Sequence, residues 1–289
     1  RGLDRRSVHL GPDAMTFVVA SRLASFTAAA VLLAVSNPAA AQAITQPSVD
    51  PALVPADGRP GPEQAMRQSA RCRTAIAIPE PDIALPAPGF AMLNIERAWQ
   101  YSTGSGVRVA VIDTGVSPSA RLPVIPGGDY VEGGDGLSDC DVHGTVVAAL
   151  IAAAPQGSPM PSRMPPAQDP AALAPAPPAN PVDDKRVSPG PDGLAGVAPH
   201  ATVISIRQSS DLFAPVDPGS GDMEARKRAG TVATLARAVV HAANLGASVI
   251  NVSVTACVSA ADPFDQRALG AAVWYAATIK DAVVVAAAG

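Results

Sequence analysis

A nearly continuous apolar run, Val107-Arg108-Val109-Ala110-Val111-Ile112, constrains this chain more than any other stretch. A strand with one wet face alternates apolar and polar residues. A run without that alternation belongs to a parallel strand buried on both faces. Parallel strands need crossover connections, and helical patterns lie between the apolar runs. Residues 143–154 read as a helix with Val146, Val147, Leu150 and Ile151 inward, stopped by Pro155. Thr202–Ile206 is a second strand. Thr231–Leu245 is a capped amphipathic helix with Val232, Leu235, Val239 and Ala242 at helical spacing, ended by Gly246. Val249–Val254 is a third strand, Asp265–Lys280 another helix and Val283–Ala288 a fourth strand. This order predicts an α/β fold: a parallel sheet flanked by helices on both faces. Aromatic residues make up only 3% of the chain, so its core must be built from Val, Ile, Leu and Ala.

The 30 prolines mark the segments outside that packing. Residues 44–104 form a Pro-rich N-terminal extension that can be neither a helix bundle nor a central sheet but can wrap a neighbouring domain. Only Gly89–Tyr101 looks helical there, with Met92, Leu93, Ile95 and Trp99 as its apolar face. Residues 155–191 are of low complexity and read as a disordered surface insertion in the main domain, 105–289. Residues 15–43 carry the pattern of a signal peptide: Arg22, then apolar Leu23–Val35, then Ala41-Gln42-Ala43 as a small-x-small cleavage site. The apolar stretch is shorter than the roughly 20 residues of a spanning helix, although an uncleaved anchor is the alternative. Residues 1–14 precede Met15, a candidate start, and are read as lying outside the native protein. A net charge of −4 with no basic stripe gives no electrostatic case for a nucleic-acid partner.

In a parallel sheet, reactive groups gather at the carboxyl ends of the strands. Asp113 sits there, directly after Val107–Ile112, and is followed by Thr114-Gly115. Thirty residues on, His143 opens a helix and is followed by Gly144-Thr145. Glycine beside the histidine permits a close backbone approach, and Thr145 can settle the first turn. A carboxylate leaving a strand and an imidazole opening a helix can meet over the sheet, where the acid fixes the tautomer and stabilises the imidazolium. Each motif alone is weak. Asp-Thr-Gly is a common turn and also the signature of aspartic proteases, which need two such carboxylates in β-rich lobes. Ser253 lies inside a predicted strand with no turn to expose it, so it is not read as a nucleophile.

Taken together, the motifs resemble the subtilisin family in its Asp-His-Ser order. Val109–Gly115 is similar to the aspartate motif and His143–Ala148 to the histidine motif. Asp192–Pro199 is similar to the lead-in to the next strand, and Val283–Gly289 to the approach to the oxyanion-hole asparagine. Within that family, Ser205–Ser210, Val249–Cys257 and a cysteine-bearing extension resemble the mycosins of type VII secretion in actinobacteria. The resemblance implies a serine endopeptidase with Asp113 as orienting carboxylate, His143 as general base and acid, and Ser253, Val254 and Thr255 lining the pocket for the substrate's first side chain. Thr255 and Ala256 depart from the glycine-rich pattern of many subtilisins, which puts that pocket's depth in doubt. The nucleophilic serine and oxyanion asparagine are expected beyond Gly289, so the 289-residue chain is expected to be inactive alone, with its last strand unpaired and the sheet short of a covering helix. The implied partners are a protein or peptide substrate and the type VII secretion membrane complex. No cofactor and no metal are implied. The implied location is the cell envelope, after export, with a membrane anchor beyond Gly289. A non-catalytic structural component of the secretion machinery is the alternative.

Of the three cysteines, Cys72 and Cys140 are read as a bridge between the extension and the loop before His143, with two unpaired thiols as the other possibility. Closing so long a loop contributes about 4 kcal/mol in the chain-entropy model. Cys257 is expected to pair beyond Gly289. His241 is read as an exposed residue, sharing a face with Thr234 and Arg237, and His200 as a loop residue without partners. Asp135, Asp139 and Asp141 are read as a solvated acidic loop rather than a calcium site.

Overall fold

Residues 48–75, 88–155, 194–217, 229–255 and 265–288 are described by the computed structural model. The chain divides into two units, Arg1–Ser48 and Val49–Gly289, and the fold below is that of the second. The signal-like segment, nearly all of the 155–191 insertion and Cys257 lie outside the described residues. In chain order the elements are β1 (Met66–Gln68), α1 (Pro88–Met92), α2 (Ile95–Trp99), β2 (Arg108–Asp113), β3 (Val124–Asp129), α3 (His143–Ala152), β4 (Thr202–Arg207), β5 (Phe213–Pro215), α4 (Val232–Asn244), β6 (Val249–Val252), α5 (Arg267–Trp274) and β7 (Val283–Ala286). A π-helical turn, Tyr275–Ile279, prolongs α5. The expected Gly89–Tyr101 helix is broken in two at Asn94, which takes a left-handed conformation.

Five strands form one sheet in the order β3-β4-β2-β6-β7, every pair parallel. Side chains alternate along a strand, so β2 feeds two cores at once. Ala110 and Ile112 join Ile204, Ile206, Ile250 and Val252 beneath α4 and α5. Val109 and Val111 join Val203, Val116 and Leu122 beneath α3. This double burial is why the run that founded the fold shows no alternation. The last strand is not unpaired as expected: β7 bonds to β6 in register, Val249 opposite Val283, and only its far edge is the sheet margin.

Helix α3 turns a different face inward from the one its bulky residues suggest. Gly144, Ala148 and Ala152 are buried, Val147 and Ile151 are partly so, and Val146 and Leu150 are 53% and 54% exposed. The small-residue stripe recurs every four positions and lets the helix lie against the backbone. Residues two positions off that stripe are rotated about 200° away from it. A Cβ at Gly144 would stand 2.1 Å from the Gly115 carbonyl oxygen, so close contact, not apolar bulk, sets the face.

Strand β3 has no counterpart in the sequence reading. Its Pro126-Gly127-Gly128 core contradicts strand propensity, and the register shifts between Pro126 and Asp129. Contact again decides: a Cβ at Gly127 would lie 2.6 Å from the Ser205 carbonyl oxygen, and one at Gly128 would lie 2.4 Å from Pro60.

Pro60 belongs to the extension, which runs along the domain through a series of ties. Asp57 accepts hydrogen bonds from His241 Nδ1 and Asn244 Nδ2 at 2.8 and 2.9 Å. Glu63 accepts one from the Thr231 hydroxyl at 2.7 Å. Strand β1 pairs antiparallel with β5. Cys72 and Cys140 are joined by a disulfide. His241 is therefore largely buried against the extension rather than exposed, and Thr234 on the same face is buried as well. Burial, then the Asp57 carboxylate, pushes the nearby Tyr130 hydroxyl up to about 12, against a smaller opposing effect of Arg237.

Candidate active site

Strand β2 delivers Asp113 to the carboxyl edge of the middle strand, fully buried. Helix α3 begins with His143, whose ring is about half exposed. The two meet: His143 Nδ1 lies 2.7 Å from Asp113 Oδ1. The carboxylate can only accept, so Nδ1 carries the proton and Nε2 is left as the basic nitrogen. The same Oδ1 accepts the Thr114 amide at 2.7 Å, while the buried Oδ2 has no hydrogen-bond partner among the described residues.

The two motifs interlock through their own residues. The Gly144 amide donates to the Thr114 hydroxyl at 2.9 Å, and that hydroxyl donates to Asp139 Oδ1 at 2.8 Å. Thr145 does settle the first turn of α3, through its amide and hydroxyl bonds to Asp139 Oδ2 at 2.8 and 2.6 Å. Asp139 and Asp141 are thus not a solvated acidic loop. Asp141 is buried and accepts from the Ser210 hydroxyl and the Asp211 amide. Asp135 accepts from the Leu137 amide.

Directly across from Asp113 on β4 stands Arg207, buried to 1% exposure. Its Nη1 lies 3.1 Å from Asp129 and 2.7 Å from Glu132, and its guanidinium stacks 4.5 Å from the centre of the Phe213 ring. Gln208 reaches Thr231 O and the Thr234 hydroxyl. The Ser205–Ser210 stretch therefore ties the sheet edge that carries Asp113 to β5 and to the start of α4.

The expected pocket residues fall just past β6, which ends at Val252 rather than Val254. Ser253 and Val254 are partly buried and Thr255 is exposed. The Ser253 hydroxyl accepts from Asn251 Nδ2 at 2.5 Å. Among the described residues no hydrogen bond joins Ser253, Val254 or Thr255 to Asp113 or His143. His200 is not without a partner: its Nδ1 lies 3.0 Å from the Thr103 hydroxyl.

A five-stranded parallel sheet carrying a buried acid on its middle strand, paired to an imidazole at a helix start, has the layout of a subtilisin-like protease domain. The chain belongs to the subtilase family, whose model matches residues 104–289. It is 53% identical to Mycosin-2 of Mycobacterium tuberculosis, over 93% of this chain and 59% of that relative. Among solved structures, the MycP3 protease from the type VII (ESX-3) secretion system is 45% identical with a TM-score of 0.66, over 85% of this chain and 57% of that one. A chain in the periplasmic assembly from the ESX-5 inner membrane complex is 50% identical with a TM-score of 0.67, over 85% of this chain and 56% of that one. The chain spans less than two thirds of the length of each of these relatives.

Proposed function

We propose that this chain is the acid–base portion of an exported serine endopeptidase of the mycosin type, working at a type VII secretion complex of the cell envelope. The 2.7 Å contact between His143 Nδ1 and the buried Asp113 carries this reading. In it, Asp113 holds the imidazole by its Nδ1–H and stabilises the imidazolium. His143 Nε2 takes the proton from an attacking serine hydroxyl and returns it to the leaving amine. Ser253, Val254 and Thr255 line the pocket beside an extended peptide, with backbone groups pairing to it as to an added strand. The nucleophile and the oxyanion asparagine are supplied from beyond residue 289, as is a membrane anchor. Among the described residues, no helix is long and apolar enough to cross a membrane.

In this reading none of the serines of the 289-residue chain serves as the nucleophile, and the chain alone is expected to hydrolyse no peptide bond. The test compares it with a protein expressed at the length of the mycosins, on a peptide library read by mass spectrometry. Cleavage by the long form, lost on the order of a million-fold in His143→Ala and on the order of 10⁴-fold in Asp113→Asn, supports the reading. Inhibitor-sensitive cleavage by the 289-residue chain overturns the claim of inactivity. A second reading, a non-catalytic structural component, draws on the similar chain in the ESX-5 assembly. It predicts that His143→Ala leaves secretion intact while deletion of the protein abolishes it.

A further inference from the structure

The start of α3 is built against local preference. Val142, the residue before His143, has φ 70° and ψ −13°. A β-branched residue rarely adopts this left-handed conformation, and one that does must be held there by its surroundings. Val142 also has no side chain able to accept from the first-turn amides of the helix it precedes. Asp139 supplies both the hold and the cap. Its Oδ1 accepts the Val142 amide at 2.8 Å, the Asp141 amide at 3.1 Å and the Thr114 hydroxyl at 2.8 Å. Its Oδ2 accepts the amide and hydroxyl of Thr145, the third residue of α3. One carboxylate thereby grips the turn after Asp113 and the helix start that carries His143.

We infer that Asp139 is a positioning residue for the Asp113–His143 pair, acting by holding Val142 left-handed and by joining the Thr114 turn to the α3 start; this rests on the protease reading above. Asp113 Oδ1 is shared between the Thr114 amide and His143 Nδ1. Their meeting therefore depends on the angle between the two arms that Asp139 ties together. An alanine at 139 removes every one of these acceptors. An asparagine keeps the shape but presents one acceptor oxygen and an NH₂ group, so it cannot receive donors on both sides. A glycine at 142 adopts the left-handed conformation unaided.

The experiment uses the ¹⁵N-histidine-labelled 289-residue chain and follows the hydrogen-bonded Nδ1 proton of His143 by low-field NMR, with circular dichroism as the check on folding. The wild-type chain shows a low-field proton that Asp113→Asn abolishes. Asp139→Ala loses it, Asp139→Asn weakens or shifts it, and Val142→Gly with Asp139→Ala regains at least half of its intensity. If wild type lacks the proton, the acid–base pair itself fails. If wild type has it and a folded Asp139→Ala keeps it unshifted, the positioning role is overturned while the protease reading stands. If Asp139→Ala unfolds, the double variant decides: folded with the proton, it supports the role through Val142; folded without it, that route is refuted.

Discussion

Two helices of this domain begin in opposite ways. Helix α4 is started by its own neighbours: the Thr231 hydroxyl accepts the Thr234 amide, and the Thr234 hydroxyl accepts the Thr231 amide. Both partners of this reciprocal box lie within one turn, so the cap itself is written locally, and the bonds with Glu63 and Gln208 are added to it. Helix α3 has no such help from Val142 and depends on Asp139, on Thr114 at the end of β2, and on a disulfide that fixes Cys140. The difference teaches what each start is for. A helix that only covers a sheet is specified locally, whereas one that must place an imidazole is specified by the groups it has to meet.

The sharpest way to break this contrast is Gly144→Ala. The new methyl would stand 2.1 Å from the Gly115 carbonyl oxygen, a backbone atom that cannot swing aside. The expected loss is roughly 4–5 kcal/mol, or failure to fold, measured by urea denaturation. Next comes Cys72→Ala with Cys140→Ala, which opens a loop of 68 residues and is expected to cost about 4 kcal/mol before any strain. Hydrogen exchange should then quicken at the first-turn amides of α3 and not at those of α4. Thr231→Ala should cost about 1 kcal/mol and do the reverse, loosening the α4 start and its tie to Glu63 while leaving the α3 start unchanged. Smallest is Val142→Gly, expected to stabilise by about 0.5–1 kcal/mol as the left-handed penalty is relieved, offset in part by glycine's greater freedom when unfolded. Scanning calorimetry would read this as a melting point raised by roughly 1–4 °C. A loss of stability in that variant would mean that Val142 is not strained.

The same contrast separates what could be read from the sequence from what could not. The α4 start was legible because its capping residues are contiguous. Strands β2, β4 and β6 were legible because their apolar runs feed both cores, and the margin strand β7 because its valine run is apolar throughout although only Val284 packs inward. The Asp113–His143 meeting followed from motif order and strand direction. Strand β3 was hidden because Gly127 and Gly128 answer to Ser205 and Pro60, which are distant in sequence. The inward face of α3 was misjudged because apolar bulk is a poor guide where a helix must touch backbone. His241 read as exposed because its partner, Asp57, lies 184 residues away. Asp139 did leave a trace: it stands three residues before Val142 and six before Thr145, a place from which a carboxylate can reach the amides of a helix start.

The seam between β1 and β5, with the Cys72–Cys140 bridge beside it, carries a consequence for assembly. Every tie along it joins segments far apart in the chain, so little is gained until the sheet already exists as a template. The extension is therefore the last piece to dock and, once the bridge is reduced, the first to peel away. Reduction should therefore speed limited proteolysis between residues 48 and 75 while leaving the sheet standing.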